Sequence, residues 1–170
     1  MKKILLSTAV LITFVLTVKA QTSSDRPLKF SIGVEAGLPV GDFKEGYKFG
    51  IGGTAQAEYA AAEKLGLTLN AGYLSFSGKS EDILGETFKF PTVSVVPVLA
   101  GAKYYFTENV YGHAQAGISF FNNDGGSAFT YSPGIGIKAG EKFDILVKYQ
   151  AATKSGSTLS FVGARVAYNF

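Results

Sequence analysis

The chain has 170 residues, contains no cysteine and carries a formal net charge of +3. The excess positive charge lies in residues 1–20, because the rest of the chain holds 13 basic and 13 acidic residues. This balance leaves no electrostatic footprint for nucleic acid. The lack of cysteine excludes disulfide staples and a cysteine-ligated zinc site, and no stretch after residue 20 is apolar for long enough to form a transmembrane helix.

Residues 1–20 have the pattern of a secretory signal peptide. Lys2 and Lys3 form a basic start, residues 4–18 are mostly apolar, and Ala20 supplies a small residue at the cleavage position. A retained membrane anchor is the alternative, but the apolar run is short for a membrane-spanning helix. We therefore predict a signal peptide over residues 1–20 and one β-barrel domain over residues 21–170.

Eight segments of the remaining chain alternate between apolar and polar residues with the period of a β-strand. They cover residues 29–40, 47–59, 65–76, 90–106, 110–121, 128–140, 143–151 and 162–170. About 9–11 residues suffice for a tilted strand to cross a bilayer. The connections after the second, fourth and sixth segments are short, and the others are predicted to be longer and more polar, which is typical of outer-membrane barrels. Pro97 predicts a bulge or an irregular upper half in the fourth strand, because proline cannot donate to the ladder.

The apolar faces of these segments carry no Asp, Glu, Lys or Arg. A lysine or arginine that faces lipid at the midplane costs about 2–4 kcal/mol, so the absence of charge on these faces favours contact with lipid. The opposite faces hold Gly, Thr, Ser and Gln with scattered charges, which is too few charges for the exterior of a soluble barrel. A periplasmic lipocalin-like binding protein, apolar inside and polar outside, is the alternative that this pattern disfavours.

Aromatic residues of the apolar faces lie mainly at the ends of the predicted strands. Two such groups on either side of an aliphatic band predict the aromatic girdles of a membrane barrel. The group expected at the periplasmic end is Phe30, Tyr59, Tyr104, Phe106, Phe143, Tyr168 and Phe170, and the group expected at the outer end is Phe49, Tyr73, Phe120, Phe129, Tyr131 and Tyr149.

In the last segment, apolar residues at alternating positions lead to Phe170. This pattern resembles the C-terminal strand of bacterial outer-membrane barrels, and residues 21–170 as a whole resemble the small eight-stranded family of OmpX and the OmpA membrane domain. The resemblance implies an antiparallel up-and-down transmembrane β-barrel in the bacterial outer membrane. It also implies a monomer that contacts outer-membrane lipid and the barrel-assembly machinery, with Tyr168 and Phe170 as the assembly signal.

The inward faces carry three acids, four bases and the only histidine: Glu35, Glu58, Asp144, Lys103, Lys138, Lys148, Arg165 and His113. The interior of an eight-stranded barrel is just wide enough to be filled by side chains. Glu35, Lys148 and Arg165 fall near the middle of neighbouring strands, so we predict an ion-pair network there. The other five fall towards the periplasmic end. Together they predict a charge network that fills the lumen, and a narrow porin-like channel is the alternative.

Catalysis has weak support in the sequence. Eight-stranded lipid A deacylases have a serine two positions after their histidine, where this chain has Gln115 after His113. Glycine clusters at residues 50–53 and 134–136 lack the following helix that a dinucleotide-binding loop requires. We therefore predict no catalytic residue, no cofactor and no metal site. The predicted function is a structural or surface-interaction role in the outer membrane, and a lipid-modifying barrel enzyme is a less favoured alternative.

Overall fold

The structure, a computed structural model, describes residues 28–83, 86–122 and 125–170. The predicted signal peptide lies outside the described residues. The elements are β1 (Leu28–Val40), α1 (Phe43–Gly46), β2 (Tyr47–Ala62), β3 (Leu65–Gly78), β4 (Ser80–Ile83), β5 (Glu86–Lys89), β6 (Val93–Tyr105), β7 (Val110–Phe121), β8 (Gly126–Ala139), β9 (Phe143–Lys154) and β10 (Ser157–Asn169). Among these residues, no helix has both the length and the apolar character needed to cross a membrane.

Eight of the strands close into an antiparallel up-and-down barrel in the order β1-β10-β9-β8-β7-β6-β3-β2. The strands β4 and β5 form a separate two-stranded hairpin in the connection between β3 and β6. The predicted eight-stranded barrel is thus confirmed. Closure leaves the wall without an unpaired edge, which is the condition for a β-structure to span lipid.

The seam between β1 and β10 joins the two ends of the barrel. Their ladder runs from Ser31 opposite Asn169 to Val40 opposite Ser160. Beyond it, the backbone N–H of Phe170 donates to the Phe30 carbonyl at 2.9 Å. The last strand is therefore hydrogen-bonded along its length, and we call the end of the barrel that carries Leu28 and Phe170 the periplasmic end.

The two faces of the wall differ in exposure as the sequence predicts. Large apolar side chains at mid-strand face outwards, and Val34, Leu69 and Ile135 are each more than half exposed. Polar side chains on the alternate positions, such as Asn70 and Gln115, are buried inside. A wall with an apolar exterior and a polar interior is that of a membrane barrel. Ala151 departs from its predicted outward exposure: it is fully buried, paired with Tyr131 and Ser160 of the adjoining strands.

Outward aromatic rings pack against each other at both ends of the barrel. Ring centroids lie 5.7 Å apart for Phe143 and Tyr168, and 5.3 Å apart for Tyr168 and Phe170, at the periplasmic end. At the outer end, the Tyr131 and Tyr149 centroids lie 6.3 Å apart. These rings occupy the levels where the two girdles were expected.

Of the bulge or irregular upper half predicted at Pro97, the bulge is wrong, and an irregularity occurs on one side of the strand only. The ladder between β6 and β7 runs without a shift from Val95 to Tyr105, and Pro97 pairs with Ser119. On the β3 side, pairing is interrupted between Ala71 and Leu74 but resumes in the same register. Proline lacks an N–H group and therefore removes a bond from the ladder, but here no extra residue is inserted. The bulges occur between β2 and β3, at the two ends of that pairing.

The predicted polar loop after the seventh strand is also wrong. The strand β9 continues to Lys154 and β10 begins at Ser157, so only Ser155 and Gly156 form the turn. Both have positive φ, +49° and +85°, as a two-residue type I′ hairpin requires. The apolar alternation fades before the strands end, because small polar residues such as Thr153 and Thr158 continue the ladder there. This outer connection is therefore shorter than the sequence suggested.

The apolar exterior can be tested by placing a charge on it. We expect Val34→Lys, at the middle of β1, to lower the free energy of unfolding by about 2–4 kcal/mol, because the ammonium would face lipid. Leu28→Lys, at the end of the same strand, should cost only about 0–1 kcal/mol. Denaturant titration of both variants in bilayers, followed by gel mobility, measures the difference. Equal costs at the two depths would contradict a lipid-facing exterior.

Candidate functional site: the barrel lumen

The charged side chains predicted from the sequence lie in the half of the lumen nearer the periplasmic end, which we call the inner half. Six of them are almost completely buried, with at most 4% of their surface exposed: Glu35, Lys103, His113, Asp144, Lys148 and Arg165. Glu58 and Lys138 are only partly buried. All eight point inwards, as their positions on the predicted strands indicated.

Lys103 is the centre of one group of ion pairs. Its Nζ lies 3.1 Å from Glu58 Oε2 and 3.1 Å from Asp144 Oδ2. Two tyrosine hydroxyls complete the carboxylates: Tyr105 donates to Glu58 Oε1 and Tyr111 to Asp144 Oδ1, each at 2.6 Å. Each carboxylate oxygen of Glu58 and Asp144 therefore has a partner. These ion pairs and hydrogen bonds offset the cost of burying the charges. We call these five residues the Lys103 cluster.

Arg165 joins the Lys103 cluster from the last strand. Its Nη1 lies 3.9 Å from Asp144 Oδ1, while its Nε donates to Thr54 Oγ1 at 2.6 Å and its Nη2 to Ser31 Oγ at 3.1 Å. The guanidinium thus connects β9, β2 and β1 across the narrow interior. The hydroxyls of Thr54 and Ser31 were not singled out from the sequence, since only their inward parity distinguishes them.

Glu35 and Lys148 form a second, separate ion pair. Lys148 Nζ lies 2.8 Å from Glu35 Oε1, and both side chains are almost fully buried. The contact lacks hydrogen-bond geometry, and neither Glu35 oxygen has a hydrogen-bond partner among the described residues. The single three-residue network predicted for Glu35, Lys148 and Arg165 therefore does not form. Arg165 stands opposite Glu35 in the ladder, but its long side chain reaches Asp144, Thr54 and Ser31 instead.

Inward glycines provide the space that these long side chains occupy. A Cβ atom on Gly163 would lie 3.2 Å from Glu35 Oε1 and 3.4 Å from Lys148 Cε. A Cβ on Gly66 would overlap the Glu58 carboxylate, and one on Gly136 would overlap the Tyr111 ring. This agrees with the interpretation of the inward glycines as space in a narrow lumen and not as phosphate-binding loops.

A cavity of about 550 Å³ opens below the Lys103 cluster at the periplasmic mouth. Its wall includes Glu58, Glu63, Lys64 and Lys138. The ammonium of Lys138 lies 4.0 Å from the centre of the Tyr105 ring, a cation–π contact that places it at the edge of the cluster. We call this cavity the periplasmic vestibule.

His113 is buried beside Lys103, its partner in the adjacent strand. Neither ring nitrogen has a hydrogen-bond partner among the described residues. Gln115, two positions later, donates to Thr68 Oγ1 at 2.9 Å and lies on the same inward face. Within the described ranges, no three His, Cys, Asp or Glu side chains come together as a metal site would require.

The outer half of the lumen holds a buried apolar cluster, which the sequence reasoning did not predict. Five side chains form it: Phe43, Leu74, Phe76, Val95 and Phe161, and we call them the aromatic plug. Polar side chains are buried at the same level, among them Gln150, which stands opposite Phe161 in the ladder. Ring centroids lie 5.0 Å apart for Phe43 and Phe76, and 5.1 Å apart for Phe76 and Phe161. Four of the five occupy inward strand positions, where parity could have identified them. Phe43 comes from α1 in a connection, for which alternation gives no signal.

The aromatic plug depends on space left by two more glycines. Gly50 stands opposite Phe76 in the ladder, and Gly37 lies next to it on β1. A Cβ on Gly50 would lie 2.3 Å from the Phe76 ring, and one on Gly37 would lie 3.1 Å from it. The lumen is consequently filled at two levels, by ion pairs below and by packed rings above.

Comparison with known proteins agrees with this architecture. Residues 6–170 match the family described as "Putative MetA-pathway of phenol degradation". The chain belongs to this family. No curated protein matches the chain.

Solved structures of outer-membrane barrels resemble this member of the family. The Ail protein of Yersinia pestis in a phospholipid nanodisc shares 14% identity at a TM-score of 0.61, over 85% of this chain and 100% of that one. Ail in complex with the heparin analogue sucrose octasulfate shares 16% at 0.57, over 84% and 97%. The N-terminal barrel domain of Pseudomonas aeruginosa OprF shares 14% at 0.53, over 84% and 97%.

These likenesses concern the fold, and they confirm the resemblance to small eight-stranded outer-membrane barrels. The exposed apolar belt of this barrel independently requires lipid around it, because a water-facing exterior of this composition would aggregate. Fold and exterior together confirm the prediction of an integral β-barrel of the bacterial outer membrane.

The Glu35–Lys148 pair gives a test of the filled lumen. We expect Lys148→Met to lower the free energy of unfolding by about 3–5 kcal/mol, because it leaves the Glu35 carboxylate buried without a counter-ion. The double variant Glu35→Leu/Lys148→Met should recover most of that loss, since no lone charge remains. Lys44→Met, at an exposed position of α1, serves as the control and should change stability by less than about 0.5 kcal/mol. Denaturant titration followed by circular dichroism compares the three variants with the unaltered protein, and a double variant that is no more stable than Lys148→Met would contradict the pairing.

Proposed function

We propose that this protein is a sealed, non-enzymatic barrel that acts at the outer membrane through its structure and its outer surface. The observation that carries the proposal is the filling of the lumen at two levels. The Lys103 cluster and the Glu35–Lys148 pair occupy the inner half, and the aromatic plug occupies the outer half. A protein with this interior offers its partners the outer mouth and its loops.

A porin-like channel is less well supported. Ion passage needs a continuous polar path, and the packed, buried rings of Phe43, Phe76 and Phe161 occupy part of the outer lumen. Below them, the buried cations are engaged by carboxylates and hydroxyls at 2.6–3.9 Å. Movement of ions would require both levels to rearrange together.

A lipid-modifying enzyme is also less well supported. His113 points into the lumen and not towards lipid, and Gln115 stands where such an enzyme would have a nucleophile. A general base must lie within hydrogen-bond reach of the group that it activates. Both ring nitrogens of His113 lack such a neighbour among the described residues.

The description of the family adds a second candidate, a part in the handling of phenolic compounds. A barrel without a catalytic constellation would contribute by binding such compounds at the cell surface, and not by transforming them. The observation that favours this candidate is a cavity at the outer mouth, about 530 Å³ in volume, whose wall is largely apolar.

The partners follow from the exterior and from the last strand. The apolar belt would contact outer-membrane lipid, and the alternating face that ends in Tyr168 and Phe170 would be recognised by the barrel-assembly machinery. Closure of the described barrel wall within one chain leaves no edge strand in that wall for a second copy, which supports a monomer. No observation calls for a cofactor.

Planar-bilayer recording tests the sealed lumen. We expect the purified barrel to give no discrete conductance steps, because two filled levels block the lumen. Phe76→Ala should also remain silent, since it opens only the aromatic plug and leaves the Lys103 cluster in place. Reproducible steps of uniform size from the unaltered protein would contradict the proposal and favour the channel.

The assembly signal is tested by comparing two aromatic residues of the same girdle. We expect Phe170→Ala to lower the amount of folded barrel in cells several-fold, while refolding into lipid in vitro is nearly unchanged. Phe143→Ala removes a similar exposed ring from the same end and should leave cellular assembly close to normal. Heat-modifiable gel mobility of membrane fractions measures the folded amount. Equal losses for both variants would contradict a specific signal and indicate a general need for girdle aromatics.

A further inference from the structure

The outer mouth of the barrel holds an apolar cavity of about 530 Å³ above the aromatic plug. We call it the outer cleft. Its apolar wall comes from Tyr47, Val93, Phe121 and Leu159, and its rim includes Lys154 and Ser157. Pockets that bind small molecules in proteins have volumes of about 300–1,000 Å³ and combine apolar walls with a few polar groups. The outer cleft has both properties.

The outer cleft ends blindly at the aromatic plug. A second, nearly filled void of about 10 Å³ lies beneath it, and Phe121, Ala152 and Leu159 line both. The same void is bounded below by the plug residues Phe43, Phe76 and Phe161. A molecule that enters the cleft would therefore stop on the rings and not pass through, so this site suits retention and not passage.

The outer cleft combines its apolar wall with polar residues, since Asn122, Lys154, Ser155 and Ser157 also line it. Lys154 Nζ donates to the Gly125 carbonyl at 2.9 Å, which fixes the ammonium at the cleft. An ammonium has three N–H donors, so it can donate to a ligand oxygen as well as to this carbonyl. The hydroxyl of Ser157 lies on the same rim, next to the tight turn at Ser155 and Gly156. A small ligand with a flat apolar ring and one oxygen substituent would match an apolar wall with a polar rim.

We propose that the outer cleft binds a small aromatic compound that carries a hydroxyl group, a phenol. This inference rests on the second candidate function above, because the family description supplies the chemical class and the cleft supplies the fit. The ring lies against Phe121 and Tyr47, where aromatic pairs gain from edge-to-face or offset contact. The hydroxyl faces Lys154 and Ser157 at the rim.

Phenol itself is the probe for the test. The protein is labelled with ¹⁵N in lipid nanodiscs, and amide shifts are followed as phenol is added. We expect saturable shifts at the outer cleft, in the last residues of β7 and the first residues of β10, and none at the periplasmic vestibule. Cyclohexanol, of similar size but without a ring current or a π-face, should bind several-fold more weakly.

Two variants narrow the cleft, and a matched variant leaves it unchanged. Ala152→Phe puts a ring in the cleft and should weaken phenol binding at least tenfold. Ser157→Phe narrows it from the exposed rim, where folding is little affected, and should do the same if Ala152→Phe fails to fold. Ala60→Phe adds the same bulk in the periplasmic vestibule and should leave binding unchanged. Lys154→Met should weaken binding of phenol but not of toluene.

The outcomes separate this proposal from the proposed function on which it rests. Saturable phenol binding that Ala152→Phe and Ser157→Phe do not weaken would overturn the outer cleft as the site, while a role with phenolic compounds would stand. No saturable binding of phenol to the unaltered protein would overturn both. Shifts that grow without saturation at lipid-facing residues would mean partition into lipid, and would also overturn the site. None of these results depends on whether the lumen conducts ions.

Discussion

Backbone hydrogen bonding inside lipid is the constraint on which this structure depends. Lipid offers no partner to an open strand edge, so a spanning sheet has to close on itself. Here the ladder between β1 and β10 makes that closure, and the Phe170 N–H extends it to the last residue. Once the wall is closed, its period of two divides the side chains into a lipid face and a lumen face. The absence of charge on the first and the concentration of charge on the second follow from that division.

A narrow lumen imposes the second constraint. Eight strands leave an interior that side chains can fill, and this chain fills it in two ways. Towards the periplasmic end, Lys103 and Arg165 bridge carboxylates and hydroxyls from several strands, and inward glycines such as Gly66 and Gly163 give the long side chains room. Towards the outer end, Phe76 lies over Gly50 and packs between Phe43 and Phe161. The ion pairs make the fold sensitive to loss of a single partner, and the rings separate the outer cleft from the interior.

Sequence periodicity was sufficient for the strand number, the topology and the direction of every charged side chain considered. It failed where alternation does not show how far a side chain reaches, where a strand ends or how a connection folds. Alternation places Arg165 level with Glu35, but the reach of a guanidinium decides that it binds Asp144, Thr54 and Ser31. Alternation also ends before β9 does, since Thr153 and Lys154 pair in the ladder without an apolar face. Phe43 lies in a connection, so its place in the aromatic plug could be recognised only once α1 was seen to fold inwards.

The account of a sealed surface barrel rests on which face of the wall meets lipid, and a cysteine-free chain allows that to be measured residue by residue. Single cysteines placed along β10 and spin-labelled in bilayers would report contact with lipid-soluble oxygen and with a water-soluble nickel reagent. The account predicts that labels at Val162, Ala164 and Val166 contact oxygen strongly, and that labels at Gly163, Arg165 and Ala167 are shielded from both reagents. Equal oxygen contact at all six positions, or the inverse alternation, would contradict it.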